Sequence, residues 1–316
     1  MMVLNPVSRA LAIGVAVLLS AGCAGSSLSV GTLPRAGWSF RQGAILGKSW
    51  MHPEAKQETL LYISTDADGI FVFDYPSRRV VGELTDAISP WGLCSDAAGN
   101  VFVSDSEGQQ VLEYAHGGSS PIRTLRGAAG PIDCAADPKT GNLAVASATA
   151  EIYIFRKEKG RPKRVVDPGA NFWFCTYDPQ GNLFATDDST YYDEPFISEL
   201  ARGSSAFTNF RLSKRIGKRF GLTGIQTRNG YLAVADFTDN NIFQIRISNS
   251  IAKVVRKTPL VGAKEARQFT FYDRELISPD PDSDFAGIWN YPAGGEPVHK
   301  IDGIPGEPLG STISEP

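Results

Sequence analysis

Cys94, Cys134 and Cys175 recur 40 and then 41 residues apart, each at the same point of a similar passage. The passages read Trp91-Gly-Leu-Cys-Ser-Asp-Ala-Ala-Gly-Asn-Val-Phe-Val-Ser-Asp105, Ile132-Asp-Cys-Ala-Ala-Asp-Pro-Lys-Thr-Gly-Asn-Leu-Ala-Val-Ala146 and Trp173-Phe-Cys-Thr-Tyr-Asp-Pro-Gln-Gly-Asn-Leu-Phe-Ala-Thr-Asp187. An apolar run, a turn built on Asp and Gly-Asn, and a second apolar run spell strand, tight turn, strand. A period of this length means that each unit buries its faces against its neighbours in the chain.

The pattern recurs six times. Leu60-Leu-Tyr-Ile63 with Ile70-Phe-Val-Phe73 precedes the cysteine units, and Tyr231-Leu-Ala-Val-Ala-Asp236 and Glu275-Leu-Ile-Ser-Pro-Asp280 follow them. A second repeated turn, Asp74-Tyr-Pro-Ser, Glu113-Tyr-Ala-His-Gly-Gly118 and Asn290-Tyr-Pro-Ala-Gly-Gly295, leads in each case to another apolar run, giving about four strands per unit. With 32 glycines and 42% hydrophobic residues, this predicts an all-β chain, a six-bladed β-propeller of four-stranded blades over 58–316. The first unit lacks a strand before Leu60, whereas the chain finishes Gly306-Glu-Pro-Leu-Gly-Ser-Thr-Ile313. The expectation is that this C-terminal strand joins the first blade and closes the ring, removing exposed sheet edges.

The run of an apolar residue or Gly, a small residue, Asp, Gly-Asn, an apolar residue and x-Val-x-Asp resembles the NHL-repeat family of six-bladed propellers, over about Leu60 to Ile313. That resemblance implies the fold. The family's fold hosts recognition domains of ligases, lyases, lactonases and plain binding modules, so it leaves the activity open. At the other end, Arg9 precedes an apolar stretch from Ala10 to Leu19 and then Ser20-Ala-Gly-Cys23. The stretch is shorter than the roughly 20 residues that span a bilayer. It resembles a bacterial lipobox, departing from it at Ser20. The resemblance implies a signal peptide over 1–22, lipidation at Cys23, a tether over 23–57 and a lipid-anchored protein of the cell envelope. Ala24 rather than Asp after the cysteine favours the outer membrane.

The chain carries 31 basic and 34 acidic side chains, a net charge of −3, which argues against a nucleic-acid partner. The three repeated cysteines occupy a slot where the NHL pattern has Ala. They are expected to be buried structural thiols, since equivalent residues of successive blades point the same way round the ring; a disulfide and a metal site are the alternatives. His52, His116 and His299 fall outside the first strands, which speaks against histidine-based metal or acid–base chemistry. Asp96, Asp137 and Asp178 read as turn caps. Asp105, Asp187, Asp236 and Asp280 end second strands, where the same local bonding would brace the next turn.

The connections from second to third strand and from blade to blade must share one side of the ring. There the sequence places many carboxylates together with Trp91, Phe172, Trp173, Phe220 and Arg267. Aromatic faces beside carboxylates suit a sugar, a small polar ligand or a cationic one. The candidate ligand-binding residues are therefore Trp91, Trp173, Tyr191, Tyr192, Asp193 and Arg267, the tyrosines coming from the longest loop. Calcium is the one cofactor raised, weakly, by Asp280, Asp282 and Asp284, a spacing that departs from a calcium loop at Pro281, Gly287 and Tyr291. The basic pairs Lys214-Arg215 and Lys218-Arg219 read as a solvated loop. The favoured function is non-catalytic binding of a small polar ligand, a glycan or a protein. A divalent-cation-dependent lactonase-like hydrolase or lyase working at the channel mouth is the rival, and a plain scaffold is the third reading.

Overall fold

The computed structural model describes residues 47–316 apart from 68, 168–169, 188–194, 215, 217–220 and 238. Its strands are β1 (Trp50–Met51), β2 (Leu60–Thr65), β3 (Ile70–Asp74), β4 (Arg79–Leu84), β5 (Pro90–Ser95), β6 (Val101–Asp105), β7 (Gln110–Tyr114) and β8 (Pro121–Arg126). Then come β9 (Pro131–Ala136), β10 (Leu143–Ser147), β11 (Ile152–Phe155), β12 (Lys163–Val165), β13 (Phe172–Tyr177), β14 (Leu183–Asp187), β15 (Phe196–Leu200) and β16 (Thr208–Leu212). The last are β17 (Leu222–Arg228), β18 (Tyr231–Asp236), β19 (Asn241–Ser248), β20 (Ile251–Pro259), β21 (Thr270–Tyr272), β22 (Glu275–Asp280), β23 (Phe285–Asn290), β24 (His299–Asp302) and β25 (Pro308–Ser314).

The molecule is all-β, with its sheets in a propeller-like arrangement. Three antiparallel meanders, β5–β8, β9–β12 and β21–β24, stand as separate sheets. The first sheet has the order β1-β4-β3-β2-β25. Where two further separate blades are expected, the strands β13–β16 and β17–β20 form one eight-stranded sheet, joined through a parallel pairing of Arg211 with Ile251 and Leu212 with Ala252. The expected C-terminal strand is present: β25 pairs antiparallel with β2, from Leu60↔Ser314 to Thr65↔Pro308. Trp50–Met51 and the 3-10 turn Pro53–Gln57 fall within the expected tether, yet β1 pairs with β4 and Ala55 is buried in the core.

Strands buried on both faces are what a sandwich of successive sheets requires, and β2, β6, β10 and β14 are buried along their whole length. Leu60, Tyr62, Val101 and Val103 belong to one cluster between the first two sheets. At the far end of the chain, Leu61, Ile63, Phe71, Ile277 and Ile288 join the first sheet to the last. Burial of this kind contributes about 1.5–3 kcal/mol for each large aliphatic side chain.

The cysteines correct the sequence reading. Cys94 and Cys134 form a disulfide with Cα atoms 5.6 Å apart, while Cys175 is free and buried. The reason is register. Cys94 pairs with Phe102, three residues before the Asp105 that ends its neighbouring strand. Cys134 and Cys175 pair with Val145 and Ala185, two before Ser147 and Asp187. A shift of one residue turns a side chain to the other face of its sheet. Cys94 therefore faces the third sheet, whereas Cys134 faces back towards the second, and the two meet in one cluster with Phe102, Val145 and Phe155. Cys175 lies in the next cluster, with Ala135 and Ala185.

Candidate functional site

The innermost strands are β5, β9, β13, β17, β21 and β25. At their starting ends they converge because glycine occupies the tightest positions. A Cβ at Gly92 would stand 2.5 Å from the Ile132 carbonyl oxygen, one at Gly310 2.5 Å from the Trp91 oxygen, and one at Gly224 would collide with the Arg267 oxygen. This convergence is sealed by buried hydrogen bonds. Gln268 Oε1 accepts from the Leu93 N–H (3.1 Å) and the Ser311 N–H (2.9 Å), while its Nε2 donates to the Leu93 oxygen (2.9 Å) and to Asp133 Oδ1. Asp133 Oδ2 accepts from the Cys175 N–H at 3.0 Å. On the remaining arc, the Thr186 hydroxyl donates to the Thr223 oxygen and the Thr223 hydroxyl to the Ala266 oxygen, both at 2.8 Å. Burial pushes the Asp133 carboxyl up to about 7 against the opposing pull of the N–H groups of Cys175 and Cys134 and the Gln268 amide. Burial likewise holds the Cys175 thiol well above its ordinary value, so it is no ready nucleophile.

Towards their other ends the same strands spread and enclose a cavity of about 540 Å³. Each inner strand lends it a residue: Ser95, Cys134, Thr176, Gln226, Thr270 and Thr312. An adjoining space of about 500 Å³ shares Ser95, Asp96 and Thr270 and reaches Tyr272 and Glu315. The wall is hydroxyl-rich because short side chains bond across neighbouring strands: Thr227 Oγ1 donates to the Tyr177 oxygen at 2.9 Å and the Ser95 hydroxyl to the Ile313 oxygen at 2.7 Å. At the rim, Glu158 has its carboxyl pushed up to about 7, chiefly by burial and then by Asp96 and Glu113. Such a cup offers a polar molecule several donors and acceptors and one carboxyl that changes charge near neutrality.

The turn aspartates at this rim behave as expected from sequence. Asp96 Oδ1 accepts from the N–H groups of Ala98 (2.9 Å) and Asn100 (2.8 Å), and Asp178 Oδ1 accepts from Gln180 (2.9 Å) and Asn182 (2.8 Å). Asp137 closes its turn through the Lys139 N–H and the Thr140 hydroxyl. On the opposite side, the second-strand aspartates do more than brace their own turns. Asp105 Oδ1 takes the N–H groups of Ile88, Ser89 and Gly108. Asp187 takes that of Asn171, and Asp280 those of Lys264 and Glu265. Each thereby anchors the connection leading into the inner strand of its own unit. Asp105, Asp187, Asp236 and Asp280 are buried, which withdraws them from the acidic face expected there.

Of the candidate ligand residues, Trp91 and Arg267 are brought together: the guanidinium lies 5.7 Å from the Trp91 ring and 5.7 Å from that of Phe237, and pairs with the buried Glu265. Trp173 is half-buried, its Nε1 donating to Asn171 Oδ1 at 3.2 Å, and packs on the cluster containing Phe174 and Leu222. Tyr191, Tyr192, Asp193, Phe220 and Cys23 lie outside the described residues. Asp280 has both carboxylate oxygens occupied by backbone N–H groups, whereas Asp282 and Asp284 are exposed. Among the described residues, no group of three or more His, Cys, Asp and Glu side chains is placed to hold a metal ion.

Gln268 and Asp133 escape a reading by sequence. The one signal is that Asp133 precedes its cysteine where Leu93 and Phe174 precede theirs, a carboxylate in an apolar slot.

No protein-family model and no curated protein matches the chain. Among solved structures it is similar to a chain of a nidogen/laminin complex, with TM-score 0.67, 15% identity, and coverage of 81% of this chain and 98% of that one. It is also similar to the hydrazine synthase of Kuenenia stuttgartiensis, with TM-score 0.58, 14% identity, and coverage of 76% and 75%. A streptogramin B lyase matches with TM-score 0.52 and 16% identity over 68% of this chain and 70% of that one. At such identities the likeness carries the β-propeller fold and no activity.

Proposed function

We propose that this chain is an exported, lipid-anchored, six-bladed propeller of the NHL-repeat kind that binds a small polar ligand without transforming it, in the axial cup between its inner strands. In this reading the eight-stranded sheet is two blades whose outer strands touch. The carrying observation is that six inner strands each lend a residue to one cup whose opposite end is filled by Gln268 and Asp133. Hydroxyl and amide groups on fixed strands suit an uncharged, hydrogen-bonding ligand such as a glycan fragment, because each unpaired polar group in the cup is a partner held ready. Trp91, Trp173 and Arg267, with Tyr191, Tyr192 and Asp193, remain candidates for a second contact surface on the opposite side, facing a protein. The appearance of a similar chain in a nidogen/laminin complex supports that use of the fold.

The test is thermal unfolding with a glycan panel, calcium, zinc and chelator, since a ligand selective for the folded state raises the midpoint. A glycan shift in the natural chain that disappears in Thr270→Trp, which fills the junction of the two spaces, upholds the cup. A shift that survives the tryptophan moves the site to the Trp91 side. A shift with calcium or zinc that the chelator reverses favours the divalent-cation enzyme, a reading that the similarity to a lyase keeps in view.

A further inference from the structure

Residues 156–164, which lead from β11 into the outer strand β12, carry Arg156, Lys157, Lys159, Arg161, Lys163 and Arg164 against one acid, Glu158. In a chain with more acidic than basic side chains this concentration does not follow from composition. Outer strands β4 and β24 each carry acid beside base, Arg79 with Glu83 and Lys300 with Asp302, while β8, β16 and β20 carry one to three cations and no acid; the run 156–164, with six, is denser than any of these. All six cations here are exposed. Arg164 pairs with Glu151 at 2.9 Å; among the described residues, no ion pair engages the other five.

The nearby acids are turned away or taken. Glu113 is nearly buried and held by Arg123, and Asp167 accepts from Asn209 Nδ2 at 2.8 Å. Glu158 lines the axial cup, and burial beside Asp96 and Glu113 raises its carboxyl. The segment is held in shape: Lys157 and Glu158 turn it with φ of 50° and 55°, and the Lys157 N–H donates to Asn142 Oδ1 at 3.0 Å. It also meets β8 of the preceding sheet, where Arg123 Nη1 donates to the Glu158 oxygen at 3.2 Å. That strand adds the exposed Arg126 and an aliphatic side chain in water, Ile122, 56% exposed; Val166, 44% exposed, follows β12.

We propose that this edge, β8 with 156–166, is a docking surface for an anionic phospholipid leaflet. The Lys and Arg side chains lie against headgroup phosphates while Ile122 and Val166 enter the interface. Basic groups near a negatively charged leaflet add their attractions, and the two aliphatic residues select a bilayer over a polynucleotide, which would meet them only as unfavourable surface. The cations and the two aliphatic residues lie outside the lining of the axial cup, which the segment reaches only through Glu158, and docking needs no acyl chain.

The experiment is vesicle flotation of the full chain carrying Cys23→Ser, so that no lipid is attached, with phosphatidylcholine alone or mixed with phosphatidylglycerol. The reading is the gain between the two vesicles, because the apolar N-terminal stretch can bind both. A gain of about tenfold or more is expected, shrinking as salt screens the charges. The variant Arg156→Gln, Lys157→Asn, Lys159→Gln, Arg161→Gln should lose most of that gain at an unchanged melting temperature, Asn being chosen for the left-handed backbone at 157. An equal gain in both proteins overturns the proposal. So does a single-stranded oligonucleotide that binds more tightly than the anionic vesicles and displaces them.

Discussion

The two ends of the ring's axis are built from the same six inner strands and come out as opposites. At the end nearer Trp91, glycines let backbones approach until a single amide, that of Gln268 just before β21, can bond to two inner strands and to Asp133 on a third. At the end nearer Asp96, Asp137 and Asp178 the strands carry Ser, Thr and Gln side chains and leave a cavity of about 540 Å³. The difference lies in how closely the backbones converge and in the space that the short side chains of the open end leave between the strands. A filled axis rigidifies the ring, because buried polar groups must stay paired. The open end then has a firm base on which to hold a ligand.

The sharpest way to break this contrast is to remove what closes the ring. Deleting 306–316 takes away the strand paired along β2, together with the Ser311 N–H that Gln268 receives. The expected product is insoluble or lacks a cooperative transition by circular dichroism; an unchanged melting temperature would refute closure by β25. Next comes Gln268→Leu, which takes the Gln268 partner from Asp133 Oδ1 and from the Leu93 and Ser311 backbone groups inside the axis. It should cost about 4 kcal/mol by urea denaturation. A loss below about 1 kcal/mol would mean that the axis is wetter than its hydrogen bonds imply.

Reducing the Cys94–Cys134 bond, or replacing both residues by Ser, releases a constraint between residues 40 apart. It should cost about 3 kcal/mol, read as the difference between the unfolding midpoints of oxidised and reduced protein. Mass spectrometry that finds three free thiols in the folded, unreduced domain would instead restore the expectation of buried thiols. Acidity probes the sealed end without removing an atom. Asp133 has a folded value of about 7 against an ordinary 3.8. Below about 4 both states hold the proton, and between there and about 7 only the folded protein does. Stability from this group therefore declines as pH rises through that window, by up to about 1.4 kcal/mol per pH unit, and is lost above it. In Asp133→Asn the slope should flatten, and an identical slope would place the titration elsewhere. The smallest effect belongs to the open end: Thr270→Trp should change stability by no more than about 1 kcal/mol, since the new ring enters existing space. A large loss would mean that the cup tolerates no occupant.

Much of the architecture is legible in the residues. The period of the cysteine units, the Asp and Gly-Asn turns and the match of Gly306 to Ile313 with a missing strand all rest on local patterns. They return as β5–β6, β9–β10, β13–β14 and the β2–β25 pairing. The disulfide was also within reach: Cys94 stands two residues before Asp96, whereas Cys134 and Cys175 stand three before Asp137 and Asp178. Aligning on the cysteines hides that offset and aligning on the turns exposes it, together with the flip of face that it causes. The side of the ring that carries Asp105, Asp187, Asp236 and Asp280 is less acidic than its sequence suggests, because an Asp that anchors a backbone and one that faces water look alike in sequence.

By itself, then, the sequence determined the strands, their turns and the repeat, because these depend on alternation and on residues a few positions apart. Only the tertiary structure decided the axis. Gln268 and Leu93 are 175 residues apart and Gln268 and Asp133 are 135 apart. No local pattern marks which of several polar inner-strand residues will be packed into a seal and which will be left lining a cup. That choice follows from how closely the backbones converge, which depends on the glycines of three strands at once and on the geometry of the whole ring.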